Sequence, residues 1–253
     1  MNFVINIADV GAVPTTSTIK RIMKNLTYWA KIPLLNNYLL KILKYNREKI
    51  HYLFLKNTIY NDNCSLLDIG TTADTNYSHN IILYKTQKNK NISCLSDQDI
   101  NFLKKNFPHV KNFYKGDGKK TNFDDNTFDI VHSSATIEHL GSFQNQINFI
   151  NECMRTSKYQ IFITTPNRFY PIDFHTKLPF LHWLPKKIHR KILKLVGFKF
   201  YSLEENLNLL DKRSIIKIMK ILNITNFKIL EHKFLIFKSN LILIINKKII
   251  NDQ

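Results

Sequence analysis

The stretch LLDIGTTADTN, Leu66 to Asn76, constrains the fold of this chain more than any other. An apolar run long enough for one buried strand stops at an acid and a glycine, and a small, polar segment follows. That order reads as a strand entering a turn. Around it, apolar runs expected as strands at 65–69, 92–95, 110–114, 128–132 and 160–164 alternate with helical patterns. Such alternation predicts a mostly parallel sheet covered by helices on both faces. The segment 142–155 places Phe143, Ile147, Ile150 and Met154 on one face of a helix, a crossover that makes the strands before and after it parallel. A second helix is expected at 99–106.

The C-terminal part departs from this rhythm. Asp211 is suited to cap a helix whose Ile215, Ile218, Met219 and Leu222 face inward. Two closing strands are expected at 227–234 and 241–246, antiparallel because only the short turn Lys238-Ser239-Asn240 separates them. Residues 1–62 read as a helical extension, with pieces at 28–43 and 48–55 interrupted at Pro33 and Asn36-Asn37. The main domain is expected at 63–253, with an insertion at 167–201.

With 253 residues and 44% hydrophobic content, the chain can bury one sizeable core with additions. Cys64, Cys94 and Cys153 show no metal-ligand spacing and read as reduced core thiols, so no metal is expected. No run approaches the roughly 18 apolar residues of a membrane span. The first residues carry no basic stretch and include Asp9, unlike a signal peptide. A cytoplasmic location is expected, with peripheral membrane attachment left open. The formal charge of +18 raises nucleic acid as a partner, but the lysines are mostly scattered and no stacking or recognition motif accompanies them. Nucleic acid is therefore not the expected partner.

In an open α/β sheet, ligands bind beyond the carboxyl ends of the strands. Here those ends are polar: Asp68 and Gly70, Asp97, Asp117-Gly118, Ser133-Ser134, and Thr164-Thr165-Pro166-Asn167. Apolar strands with acids and hydroxyls at one rim make a cleft for a polar, partly cationic ligand.

The LLDIG segment, the GDG at 116–118, the block NFDDNTFDIVHSSATIEHLG at 122–141 and IFITTPNR at 161–168 together resemble class I S-adenosylmethionine-dependent methyltransferases, the broad group that includes quinone-biosynthesis enzymes. Phe123, Asp125, Phe128, Asp129, Glu138 and His139 stand where that group's middle motif has the same residues. The resemblance covers roughly 64–250. It implies a Rossmann-like seven-stranded sheet, mostly parallel with an antiparallel closing strand, and S-adenosyl-L-methionine as cofactor. It also implies that Asp68 and Gly70 frame the methionine end, that Asp97 or Asp99 binds the ribose, and that Asp117 with Gly118 addresses the adenine; Thr71 and Thr72 are expected to bind the cofactor through hydroxyls that replace backbone contacts. Ser133 and Ser134 would lie beneath the sulfonium. The chain departs from the group where Thr71-Thr72-Ala73-Asp74 replaces further glycines. That departure keeps open a second reading, a non-catalytic binding or assembly subunit with the same fold.

Methyl transfer is an in-line displacement, so a general base is needed only if the acceptor must lose a proton. His139 and His175 are the candidate catalytic residues, a ring of either being able to take a proton near neutral pH. For His139, a structural hydrogen bond is the competing reading. The acceptor class stays broad: a small molecule, a glycan or a lipid-linked compound, with Phe169, Tyr170, Phe174, Phe180 and Trp183 suiting a ring-bearing or amphiphilic one. Within the insertion, 185–196 reads as a basic amphipathic helix, with Pro185 at its start, Gly197 at its stop and Ile188, Ile192, Leu195 and Val196 at core spacing. Its lysines are either solvated or suited to an anionic lipid surface.

Overall fold

The computed structural model describes residues 33–234 and 236–247. Seven strands form one sheet in the order β3-β2-β1-β4-β5-β7-β6. They are β1 (Leu66–Ile69), β2 (Ile92–Ser96), β3 (Val110–Lys115), β4 (Phe128–Ser134), β5 (Ser157–Pro166), β6 (Phe227–Phe234) and β7 (Phe237–Asn246). The first five pair in parallel, and β7 lies antiparallel between β5 and β6. The expected Rossmann-like, mostly parallel sheet with an antiparallel closing strand is therefore present. Only β7 is reversed, since β6 returns to the direction of β5. The hairpin pairs Phe234 with Phe237, so Lys238, Ser239 and Asn240 belong to β7 rather than to the expected turn.

Side-chain alternation assigns the two faces. Leu67 and Ile69 point into one apolar cluster with α3 (Phe143–Thr156) and α5 (Lys212–Ile221). Leu66 points into the other, with Ile50 and Phe54 of α1 (Pro33–Asn57) and Ile82 and Leu83 of α2 (Ile81–Lys85). Both N-caps hold as their chemistry requires: Ser142 accepts from the Asn145 amide and Asp211 from the Ser214 amide.

Three expectations change. The helix around 99–106 is a 3-10 turn at Asn101–Lys105. α1 is one continuous helix, running through Asn36-Asn37 with Pro33 as its first residue, where a missing N–H costs nothing. Because Phe54 is fully buried against the sheet, the boundary drawn at 62 does not coincide with an edge of the core. Residues 1–32, including the start of the piece expected at 28, lie outside the described residues. Cys64, Cys94 and Cys153 are free and buried. No helix among the described residues is long and apolar enough to cross a membrane.

The core encloses histidines as neutral rings. Burial lowers His51 and His189 from 6.5 to about 4, the neighbouring charges of His132 and Lys85 adding to the effect at His51. The unfolded chain binds protons on these rings from about pH 6.5 downward, whereas the folded chain does not until about pH 4. Stability is thus present above pH 6.5 and is lost as pH falls toward 4, by about 2–3 kcal/mol for each ring. Urea titrations at pH 7.5 and 4.5 should show this loss. A midpoint that stays constant across the interval contradicts it.

Candidate functional site

The carboxyl ends of β1 to β4 open into a cavity of about 790 Å³, within the roughly 300–1,000 Å³ of small-molecule sites. Of the residues expected there, Gly70, Thr71, Thr72, Asp97, Asp117, Gly118 and His139 line it. Ile69, Leu95 and Phe149 give it an apolar wall.

The turn after β1 is built by side chains that replace the absent glycines. Gly70 takes a positive φ of +91°, and a Cβ there would come within 2.0 Å of Thr136 Oγ1. The Thr72 amide donates to Asn80 Oδ1 at 3.1 Å, and Asn80 Nδ2 donates to the carbonyls of Thr72 and Asp74 at 3.0 and 2.7 Å. Buried Asn80 thus supplies the contacts that fix the loop, a role its place in the sequence does not announce.

Asp68 is not on the cavity wall. In a strand, neighbours point to opposite faces, and Asp68 shares the α1 side with Leu66. There its Oδ1 lies 2.6 Å from His132 Nδ1 and its Oδ2 accepts from Thr71 Oγ1 at 2.7 Å. With both oxygens engaged in a buried cluster, Asp68 tethers the first turn. Ser133 and Ser134 are also placed elsewhere. The Ser133 hydroxyl donates to the Ile69 carbonyl at 2.8 Å, and Ser134 Oγ accepts from Arg47 at 2.9 Å. The wall they were expected to form belongs to the next two residues, Ala135 and Thr136, with Ala135 at a positive φ of +54°. A non-glycine residue in that region stores strain of a kind common at functional sites.

Asp97 and Asp117 end β2 and β3 with exposed carboxylates. Asp117 Oδ1 is met by the Lys119 amide and ammonium, both at 2.9 Å. Asp99 does not line the cavity. Its carboxylate accepts from the Asn101 backbone and side chain, which hold it below the usual range. Between the two acids proposed from sequence, only Asp97 borders the cavity.

His139 and His175 meet, although 36 residues separate them: their Nε2 atoms are 3.2 Å apart. His139 Nδ1 lies 2.8 Å from the Asn206 carbonyl, and His175 Nδ1 lies 3.1 Å from Asp173 Oδ1. Burial alone would raise the Asp173 carboxyl, but the side-chain hydrogen bond and charge of His175, with the Thr176 hydroxyl and the His175 amide, hold it well below the carboxylate range. His139 borders the cavity and His175 stands behind it, near Tyr201 at 5.7 Å between ring centres. Beside them, fully buried Glu138 accepts from Thr165 Oγ1 at 2.9 Å through Oε2.

Phe200 of the insertion, with Glu205 and Asn206 just beyond it, closes the site. The insertion's helix α4 (Lys186–Leu195) starts after Pro185 as N-cap and stops at Gly197, where the Phe198 amide bonds the Leu193 carbonyl. Its buried residues are His189, Leu193 and, just past its end, Val196, the last alone among the four expected. Ile188 and Leu195 are 48% and 59% exposed, and Ile192 is half-buried.

Residues 79–160 match the family described as a methyltransferase domain. Among solved structures, the chain is similar to a SAM-dependent methyltransferase from Aquifex aeolicus, 13% identical over 91% of this chain and 97% of that one, with a TM-score of 0.52. It is likewise similar to one from Thermotoga maritima, 12% identical over 91% and 98%, with a TM-score of 0.51. At such identities the likeness is one of fold. No curated protein matches the sequence.

Proposed function

We propose that this chain, a class I S-adenosylmethionine-dependent methyltransferase by its fold and its methyltransferase domain, methylates an amphiphilic acceptor, lipid-linked or glycan-type, held beside His139. The observation that carries this reading is the single cavity bordered by the Gly70 turn, by Asp97 and Asp117, and by His139. The donor set suits the cofactor: two carboxylates can accept from ribose hydroxyls and the adenine amine, and the apolar wall suits the purine ring. When bound, S-adenosylmethionine supplies a methyl group already activated on a sulfonium. The protein's own part is positioning and, for a hydroxyl acceptor, removal of a proton at the His139 and His175 pair.

Titration with the demethylated cofactor product separates this reading from a non-catalytic scaffold. Saturable binding is expected, weakened about tenfold or more by Asp97→Ala through loss of charge-assisted hydrogen bonds. Absence of binding at millimolar product removes the catalytic reading.

The surface of the insertion supports an amphiphilic acceptor. Ile188 and Leu195 lie one heptad apart on the outer face of α4, and Trp183, 41% exposed, precedes them. Lys187, Lys191 and Lys194 are exposed on the same helix, whereas Arg190 is held by Glu204 at 3.1 Å. Apolar anchors among free lysines favour an anionic lipid surface. Cosedimentation with anionic vesicles should exceed that with neutral vesicles at least about threefold at low salt, and the excess should shrink as salt rises. Equal pelleting with both vesicle types contradicts the proposal.

A further inference from the structure

We propose that Glu138, His139 and His175 form a site for a divalent transition-metal cation. One ligand atom from each lies within 4.8 Å of the others. Two nitrogens bound about 2.1 Å from one ion at tetrahedral or octahedral angles stand about 3.0–3.4 Å apart, and the two Nε2 atoms are 3.2 Å apart.

Proton counting favours a positive centre between the rings. His139 Nδ1 faces a carbonyl and His175 Nδ1 faces a carboxylate, so each must donate. In two neutral rings that leaves both Nε2 lone pairs facing each other with nothing between them. Outer-sphere acceptors of this kind, a backbone carbonyl and a carboxylate, also orient metal-bound histidines. A proton on one ring would satisfy the nitrogens alone. It would not serve Glu138, which is 0% exposed and whose Oε1 has no hydrogen-bond partner. Arg47 feels the charge of Glu138 but gives its hydrogen bond to Ser134. A cation held by all three groups satisfies the facing nitrogens and gives the buried Glu138 carboxylate a counter-charge.

One carboxylate and two imidazoles suit manganese, iron, cobalt or zinc in the divalent state. Because His139 borders the cavity, the remaining coordination positions are directed to an oxygen of the acceptor. That last point rests on the proposed methyl transfer, whereas cation binding itself does not. The 36-residue separation of the histidines explains why ligand spacing in the sequence gives no sign of the site.

The test is calorimetric titration of the chelator-treated full chain with Mn²⁺, Co²⁺ or Zn²⁺, with the visible spectrum of the cobalt form as a second readout. One equivalent should bind at micromolar or tighter affinity, and His175→Ala and His139→Ala should each weaken it at least about tenfold. Far-UV circular dichroism identifies any variant that has not folded. His79→Ala, an exposed histidine paired with Asp74, should leave binding unchanged. No saturable binding at about 1 mM cation, or equal affinity in the folded His175→Ala protein, overturns the proposal. Product binding measured on the same samples keeps the two readings apart: cation without cofactor product removes the methyltransfer reading alone, and the reverse removes the cation site alone.

Discussion

Gly70→Ala is expected to lower the melting temperature by about 5–15 °C, from a loss of roughly 2–4 kcal/mol, and to weaken binding of the demethylated cofactor product at least about tenfold. Two costs combine. The backbone at φ +91° disfavours any Cβ, and here the added carbon would meet Thr136 Oγ1 at 2.0 Å and its Cγ2 at 2.7 Å. Relief requires either the Gly70 turn or the segment after β4 to move, and both border the cavity. Gly197→Ala is the control. It has nearly the same φ, +95°, with nothing within 4 Å of the new carbon, and it ends a helix outside the cavity wall. That variant should lose only the conformational cost, about 1–2 kcal/mol, with product affinity unchanged. Equal effects of the two substitutions on product binding would show that the contact with Thr136 does not shape the cofactor site.

His175→Ala should reduce methyl transfer by about 10²- to 10⁴-fold, the usual scale for losing activation of an acceptor hydroxyl, whether the ring pair takes the proton itself or holds the cation that acidifies it, while leaving product affinity within about twofold. The separation follows from position. His175 is absent from the cavity wall and reaches it through His139, whose free nitrogen it faces at 3.2 Å. Asp173 orients His175 from behind, so Asp173→Asn should lower turnover in the same direction by less, the ring keeping a weaker partner. Radiolabel transfer from S-adenosylmethionine to cell-extract lipids and small molecules provides the readout. Unchanged labelling by His175→Ala removes the residue from the chemistry and leaves His139 with the structural role its bond to Asn206 would suit.

The strands were legible as short apolar runs, which in β1, β2, β3 and β5 meet a punctuating acid, glycine or proline, and that pattern follows local burial. The crossover helix and the Asp211 cap were legible for the same reason: periodicity and capping act within one turn. What is not legible has a different cause. Asp68, Ser133 and Ser134 all end strands, yet the pleat turns Asp68 to the α1 side and backbone or arginine partners engage the two hydroxyls. For α4, helical spacing identified an apolar stripe without fixing which flank the domain covers. The buried side includes His189, a ring that no hydrophobic pattern selects.

By itself, the sequence determined the succession of elements along the chain: strands of a parallel α/β sheet, a glycine turn after β1, acids ending β2 and β3, and an antiparallel closing pair. These depend on contacts between residues near in the chain or on simple alternation. Only the tertiary structure decided how the Thr71 to Asp74 loop closes without further glycines, through Asn80, and how Thr71 and His132 hold Asp68 away from the cavity. It alone joined Glu138, His139 and His175, because packing of the insertion against the segment after β4, not spacing along the chain, sets those distances.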